Sequence, residues 1–164
     1  MAKFIRKGIT KIFFVEGEEV FDDMTAPDLS AELDTAVELT CDIAEISGFS
    51  YQNNPVEVPD MCTTFTPKIP GEDTADDSEM TFYEDDTANN VWDTLVKGTH
   101  GYILFFSTGA GDETDPIIAG DECEIWPVSV AKQTREFTVA NDPARYMISF
   151  TVTSRPEQNA VVVA

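Results

Sequence analysis

Residues 145 to 154 alternate between two sets: Tyr146, Ile148, Phe150 and Val152 fall on one side of an extended chain, and Arg145, Met147, Ser149, Thr151 and Thr153 on the other. A period of two fits a strand, because successive side chains in a strand point to opposite faces. The pattern therefore predicts a half-buried strand, ended by Pro156, and a lone strand is unstable without neighbours. The rest of the chain supplies them. His100 to Ser107 (HGYILFFS) is a nearly continuous apolar run bounded by glycine, as expected of a central strand covered on both faces. Ile9 to Val15 (ITKIFFV) is β-branched and aromatic and reads as the first strand. Asp42 to Tyr51 and Cys123 to Lys132 are also extended. Met61 to Ile69 and Ser78 to Glu84 read as two strands joined through Pro70-Gly71 and an acidic segment.

Breaks and helices complete the reading. Asn53-Asn54-Pro55 and Pro59 predict a long connection over about residues 52 to 60. Pro27 and the acids after it suit the start of a short helix that buries Leu29 and Leu33. Val91, Trp92, Leu95 and Val96 lie at helical spacing, with Gly98 as the stop, so Thr87 to Lys97 is the best helix. The expected fold is mainly β: a sandwich or barrel of about six to seven strands with one flanking α-helix. Ala160 to Ala164 (AVVVA) is strand-prone and apolar, and a partner is expected to cover it.

Charge narrows the function. The chain has 164 residues, enough for one domain over 1–164, and a formal net charge of −21. Lys3, Arg6, Lys7 and Lys11 lie in an acid-free opening segment, so residues 12 to 164 carry −21 − 4 = −25. Phosphate contacts run on Lys and Arg, so direct nucleic-acid binding is disfavoured, as is docking on an anionic membrane. Cys41, Cys62 and Cys123 form no CxxC pair and read as reduced, buried thiols. The apolar run Ile12 to Val15 is too short for a signal peptide core, and the chain reads as unprocessed and cytoplasmic at synthesis.

Catalytic chemistry finds no footing. His100 has no nucleophile elbow or HExxH around it and reads as structural. The carboxylates cluster in polar turns, which do not split two pKa values apart for acid and base roles. Asp112 to Asp115, and Asp85-Asp86 with Asn89-Asn90, lack EF-hand spacing. Gly109 to Gly111 leads into an acidic loop rather than a helix, so it is no phosphate cradle. Tyr83 and Trp126 read as core aromatics before binding anchors. No catalytic residue, cofactor or metal is expected.

One family shares the order of these segments. KIFFV (Lys11 to Val15), AELDTAVELTCDIAEISGFS (Ala31 to Ser50), FTPKIPGEDTADDSEMTFYED (Phe65 to Asp85), KGTHGYILFF (Lys97 to Phe106), EIWPVSVAKQ and ARYMISFTVTSRPEQN together resemble the major tail tube proteins of long-tailed phages, especially those infecting actinobacteria. The resemblance implies a non-enzymatic virion protein, assembled in the host cytoplasm as hexameric rings stacked into a tail tube. It implies partners in the tape measure, the tail terminator and the distal tail or baseplate proteins, with DNA passing without specific binding. A sheet from each subunit would line the channel, and a long connection, here about residues 51 to 64, would reach a neighbouring subunit or ring.

An acidic wall repels DNA over about 8 Å at physiological salt, which centres the duplex and lets it slide. On that ground Glu72, Asp73, Asp76, Asp77, Glu79, Glu84, Asp85 and Asp86 are candidate channel residues, against the plainer reading of a solvated hairpin turn. Candidate contacts between subunits or rings are Lys3, Arg6, Lys7 and Lys11 in a basic arm of about residues 1–8 and just beyond, Tyr51, Val56, Val58 and Met61 in the connection, and Val161, Val162 and Val163 in a tail of about residues 155–164. Competing readings are another tail component, such as a terminator or distal adaptor, an acidic DNA mimic, or a calcium-dependent binding module.

Overall fold

The computed structural model describes residues 3, 5–88, 90–108 and 116–164. Its strands are β1 (Lys11–Glu16), β2 (Val37–Glu38), β3 (Ile43–Ser47), β4 (Tyr51–Glu57), β5 (Lys68–Ala75), β6 (Ser78–Tyr83), β7 (His100–Phe106), β8 (Glu122–Glu136), β9 (Arg145–Val152) and β10 (Glu157–Val161), with helix α1 at Asn90–Thr94. Eight strands form one antiparallel sheet in the order β2-β1-β7-β8-β9-β6-β3, with β10 added on β8; β4 and β5 pair only with each other.

β8 is long enough to serve two layers: Glu124 to Ser129 pair with β7, and Val128 to Glu136 with β9. The sheet is thereby folded onto itself. Ile12, Phe14, Ile103 and Trp126 from one layer share a buried cluster with Met80, Phe82, Ile148 and Phe150 from the other, closed by Val91 of α1 and by Leu95 just after it. Phe49 ties the layers, with its ring centroid 5.2 Å from Phe105 and 5.8 Å from Trp126.

The apolar runs of β1 and β7 are buried on both faces, as the sequence of β7 predicts. Their outer faces form a second cluster of Phe13, Val15, Tyr102, Leu104 and Phe106, with Cys123 and Ile125 of β8. Phe21, Leu33, Ala160 and Val162 cover it. The terminal segment is sewn in place, since the Val161 and Val163 N–H groups donate to the Thr25 and Pro27 carbonyls and the Leu29 N–H donates to the Val163 carbonyl.

Several expectations are corrected. Residues 27 to 33 form turns and no helix: Asp28 Oδ1 accepts from the Ser30 and Ala31 N–H groups as a helix cap would, but the Glu32 carboxylate turns back to the Asp22 and Asp28 N–H groups and the chain goes no further than turns. The helix expected over Thr87 to Lys97 is confined to Asn90–Thr94. The extended run to Tyr51 is broken at Gly48 and Phe49, both with positive φ (81° and 51°). A Cβ at Gly48 would meet the Asp77 carbonyl oxygen, so the turn needs glycine there.

The largest correction concerns residues 51 to 75. No long irregular connection fills 52 to 60, and Pro70-Gly71 is not the hairpin turn. β4 runs through Asn53-Asn54-Pro55, and β5 through Pro70-Gly71, with a bulge that sets Pro55 opposite the Pro70-Gly71 pair. Prolines sit where the ladder is already interrupted. Asn53 fastens the bulge: its Nδ2 donates to the Gly71 carbonyl and to Asp73 Oδ1, and its Oδ1 accepts from the Gly71 N–H. A side chain at position 71 would collide with the Asn54 carbonyl.

Candidate assembly surfaces

The outer face of β3, β6, β9 and β8 is built differently from the outer face of β1 and β7. Register sets three rows across it: Ser47, Glu79, Ser149 and Lys132; Glu45, Thr81, Met147 and Thr134; and Tyr83, Arg145 and Glu136. Ser149 Oγ donates to Glu79 Oε1 at 3.3 Å, and the Arg145 guanidinium lies over the Tyr83 ring. The hollow on this face is lined by residues of those strands. Nearly all of its residues are polar, and their charges nearly balance, with Glu45, Glu79 and Glu136 against Lys132 and Arg145.

Six of the eight channel candidates follow the course of β6. Asp76 and Asp77 precede it, Glu79 sits on the polar face, and Asp85 and Asp86 follow its other end. Glu84 pairs with Arg135 at 2.8 Å, and that guanidinium lies 4.1 Å over the Trp92 ring. Glu72 and Asp73 stand apart, on β5. Hydrogen bonds from the Thr87 hydroxyl and N–H hold the Asp85 carboxyl below its ordinary value.

β4 and β5 form an arm whose residues are nearly all exposed. Val56 faces Ile69 across the ladder, and Val58, Met61 and Phe65 continue the apolar surface over the loop of residues 58–67. Met61 is 104% exposed and Phe65 76%. Tyr51 anchors the base, its ring centroid 6.5 Å from Trp126. Reading the residues alone reached Tyr51, Val56, Val58 and Met61 but not Phe65 or Ile69, because the ladder that joins them was not visible there.

Of the basic residues, Lys11 pairs with Glu38 at 3.5 Å, while Arg6 and Lys7 line a cleft of about 600 Å3 between β1 and β3. In the terminal segment Val162 is buried in the chain's own second cluster, and Val161 and Val163 are each 40% exposed. Phe137 and Val139, in the β8–β9 turn, are almost fully exposed; their alternation in REFTVA reads like a continuing strand, which hides them in the sequence.

The cysteines divide. Cys41 and Cys62 are exposed, against the expectation of burial, because one lies in a short 3-10 turn and the other in the arm loop. Cys123 is buried; burial first, then Asp121 and Glu124, pushes its thiol up to about 12. Tyr83 is partly exposed and Trp126 buried. His100 meets Glu18 at 3.5 Å on the surface. Among the described residues no three His, Cys, Asp or Glu side chains gather as a metal site. Gly109 to Gly111, Asp112 to Asp115 and Asn89 lie outside the described residues.

A family model described as phage tail tube protein matches residues 1–164. Comparison with curated proteins finds no match. Among solved structures, a chain in the sheath/tube terminator of the PVC extracellular contractile injection system superposes with a TM-score of 0.63 at 12% identity, covering 96% of this chain and 97% of that one. A chain of the PVC sheath-tube complex gives 0.56 at 15% identity, covering 92% and 89%. The SPP1 tail tube gives 0.53 at 14% identity, covering 94% and 78%.

Proposed function

Because the chain belongs to the phage tail tube protein family, a family of structural tail components of the virion, we propose that it closes into hexameric rings that stack into the channel of a tail tube. The observation that carries this reading is the open polar face of β3, β6, β9 and β8. A folded sheet that buries one outer face under its own chain and leaves the other polar and uncovered suits a wall with water on that side. In the ring that face lines the channel. Glu79 stands on the wall, and Asp76, Asp77, Asp85 and Asp86 flank the ends of β6 as acidic collars; Glu72, Asp73 and Glu84 are the weaker channel candidates.

The acidic collars repel duplex DNA at short range, the nearly balanced wall offers it no net attraction, and it passes without specific binding. β3, an edge strand paired only with β6, supplies backbone groups that a neighbouring subunit satisfies. The arm and the basic segment serve contacts with further copies, and Val161 and Val163 offer a smaller apolar contact. At the tube's ends and inside it, the partners are the tail terminator, the distal tail or baseplate proteins and the tape measure.

Free subunits at −21 repel one another. Concentrated protein should therefore form hollow tubes in negative-stain electron micrographs at raised salt, and fewer at low salt. Dispersed monomers at every ionic strength would overturn the tube reading. Single rings that never stack would point instead to a terminator.

A further inference from the structure

We propose that Gly48 and Phe49 form a strained latch that sets the direction of the β4–β5 arm within the single chain, before any partner meets it. β4 and β5 pair only with each other, so the course of the ribbon relative to the sheet is decided at its root. There residues 48 to 51 leave β3, and residues 75 to 78 return into β6.

The outgoing side of the root departs from ordinary backbone. Phe49 has a φ of 51°, in the left-handed region, where a bulky side chain is strained and stays only if its surroundings over-determine it. Three groups of contacts do so. The half-buried ring packs against the main core, its centroid 5.2 Å from Phe105, 5.8 Å from Trp126 and 6.1 Å from Phe150. The Phe49 N–H donates at 2.8 Å to Oγ of Ser78, a fully buried residue that opens β6. Beside it the Ser50 hydroxyl donates to the Asp76 carboxylate, the Ser50 carbonyl accepts from the Asp76 N–H, and Tyr51 lies against Trp126.

Side-chain packing thus holds the latch closed against the preference of its own backbone. Once the Phe49 ring leaves the core, φ is free to relax to a negative value, and a rotation at the root carries the whole ribbon with it. One ring therefore couples packing between the two layers to the direction in which the arm points. A direction set beforehand lowers the ordering cost of any contact the arm goes on to make.

The test needs only the single chain, so its outcome is independent of the tube reading. In a Cys41→Ser, Cys62→Ser background, spin labels go on Glu57→Cys, at the far end of the arm's ladder, and on Gln158→Cys in β10, both exposed positions. Cys123 is buried and stays unlabelled. Electron–electron distances in dilute frozen solution should give one narrow peak. Phe49→Gly, which removes the ring and frees φ, should replace that peak with a broad distribution while the body keeps a cooperative urea transition. Gly48→Ala, at an exposed site where the new Cβ meets the Asp77 carbonyl, should shift or broaden the peak, and it decides the matter if Phe49→Gly does not fold. A broad distribution in the labelled parent would overturn the latch. So would a folded Phe49→Gly or Gly48→Ala protein that keeps the parent's narrow peak.

Discussion

The two outer faces of the folded sheet share one backbone pattern and meet opposite fates. On β1 and β7 the outward residues are Phe13, Val15, Tyr102, Leu104 and Phe106, and the chain spends residues 17 to 36 and its last strand covering them. On β3, β6 and β9 the outward residues include Glu45, Glu79, Thr81 and Ser149, and the chain leaves them open. Alternation decides that a residue faces outward; side-chain chemistry decides whether outward means a second core or water. The difference separates stability, held in the covered face, from the open polar face that the proposed tube would turn to its channel.

The contrast breaks most directly under paired truncations. Leu104→Ala should lower unfolding free energy in urea by about 2–5 kcal/mol, the cost of a cavity in a full core. Ser149→Ala, on the open face, should stay within about 0.5 kcal/mol. Similar costs for the two variants would remove the distinction.

Alkali should act through the buried side. Burial first, then the nearby carboxylates Asp121 and Glu124, raises Cys123 from 9.0 to about 12. Burial first, then Asp42 and Glu84, raises Tyr146 from 10.0 to about 12. Below pH 9 both states hold these protons and stability is intact. Between pH 9 and 12 the unfolded chain releases them while the folded chain does not, so stability falls as pH rises. Urea midpoints across that window should fall less steeply for Cys123→Ala than for the parent, and an unchanged slope would place the alkaline loss elsewhere.

The smallest effect on folding and the sharpest on function should come from Glu79→Lys. Stability should move by no more than about 0.5 kcal/mol at this partly exposed site. Tubes of the variant should retain DNA in a sedimentation assay, with retention falling as salt rises, because each new Lys–phosphate contact releases counterions. Tubes that retain DNA no better than the parent would remove Glu79 from the channel wall.

Much of this was legible in the residues. HGYILFF announced a strand covered on both sides, the alternation from Arg145 announced one open side, and both are found. Other features were hidden by local signals that a neighbour overrode. Asn53-Asn54-Pro55 and Pro70-Gly71 read as breaks, yet set opposite each other they make a bulge inside one ladder. Pro27 to Leu33 reads as a helix start, and Asp28 does cap the N–H groups there, yet the segment stops at turns tied to Val163 and Asp22. The eight clustered acids were plain, but not that Glu84 turns to Arg135 or that Glu72 and Asp73 ride on the arm.

By itself the sequence determined the strand class, the charge and the family, because periodicity, composition and segment order are properties of the chain read locally. Only the tertiary structure decided which polar residues share a face, where the arm leaves the body and which cleft borders the basic segment. Those depend on register and on the folding of β8 across two layers, and a register is set by partners distant in the chain.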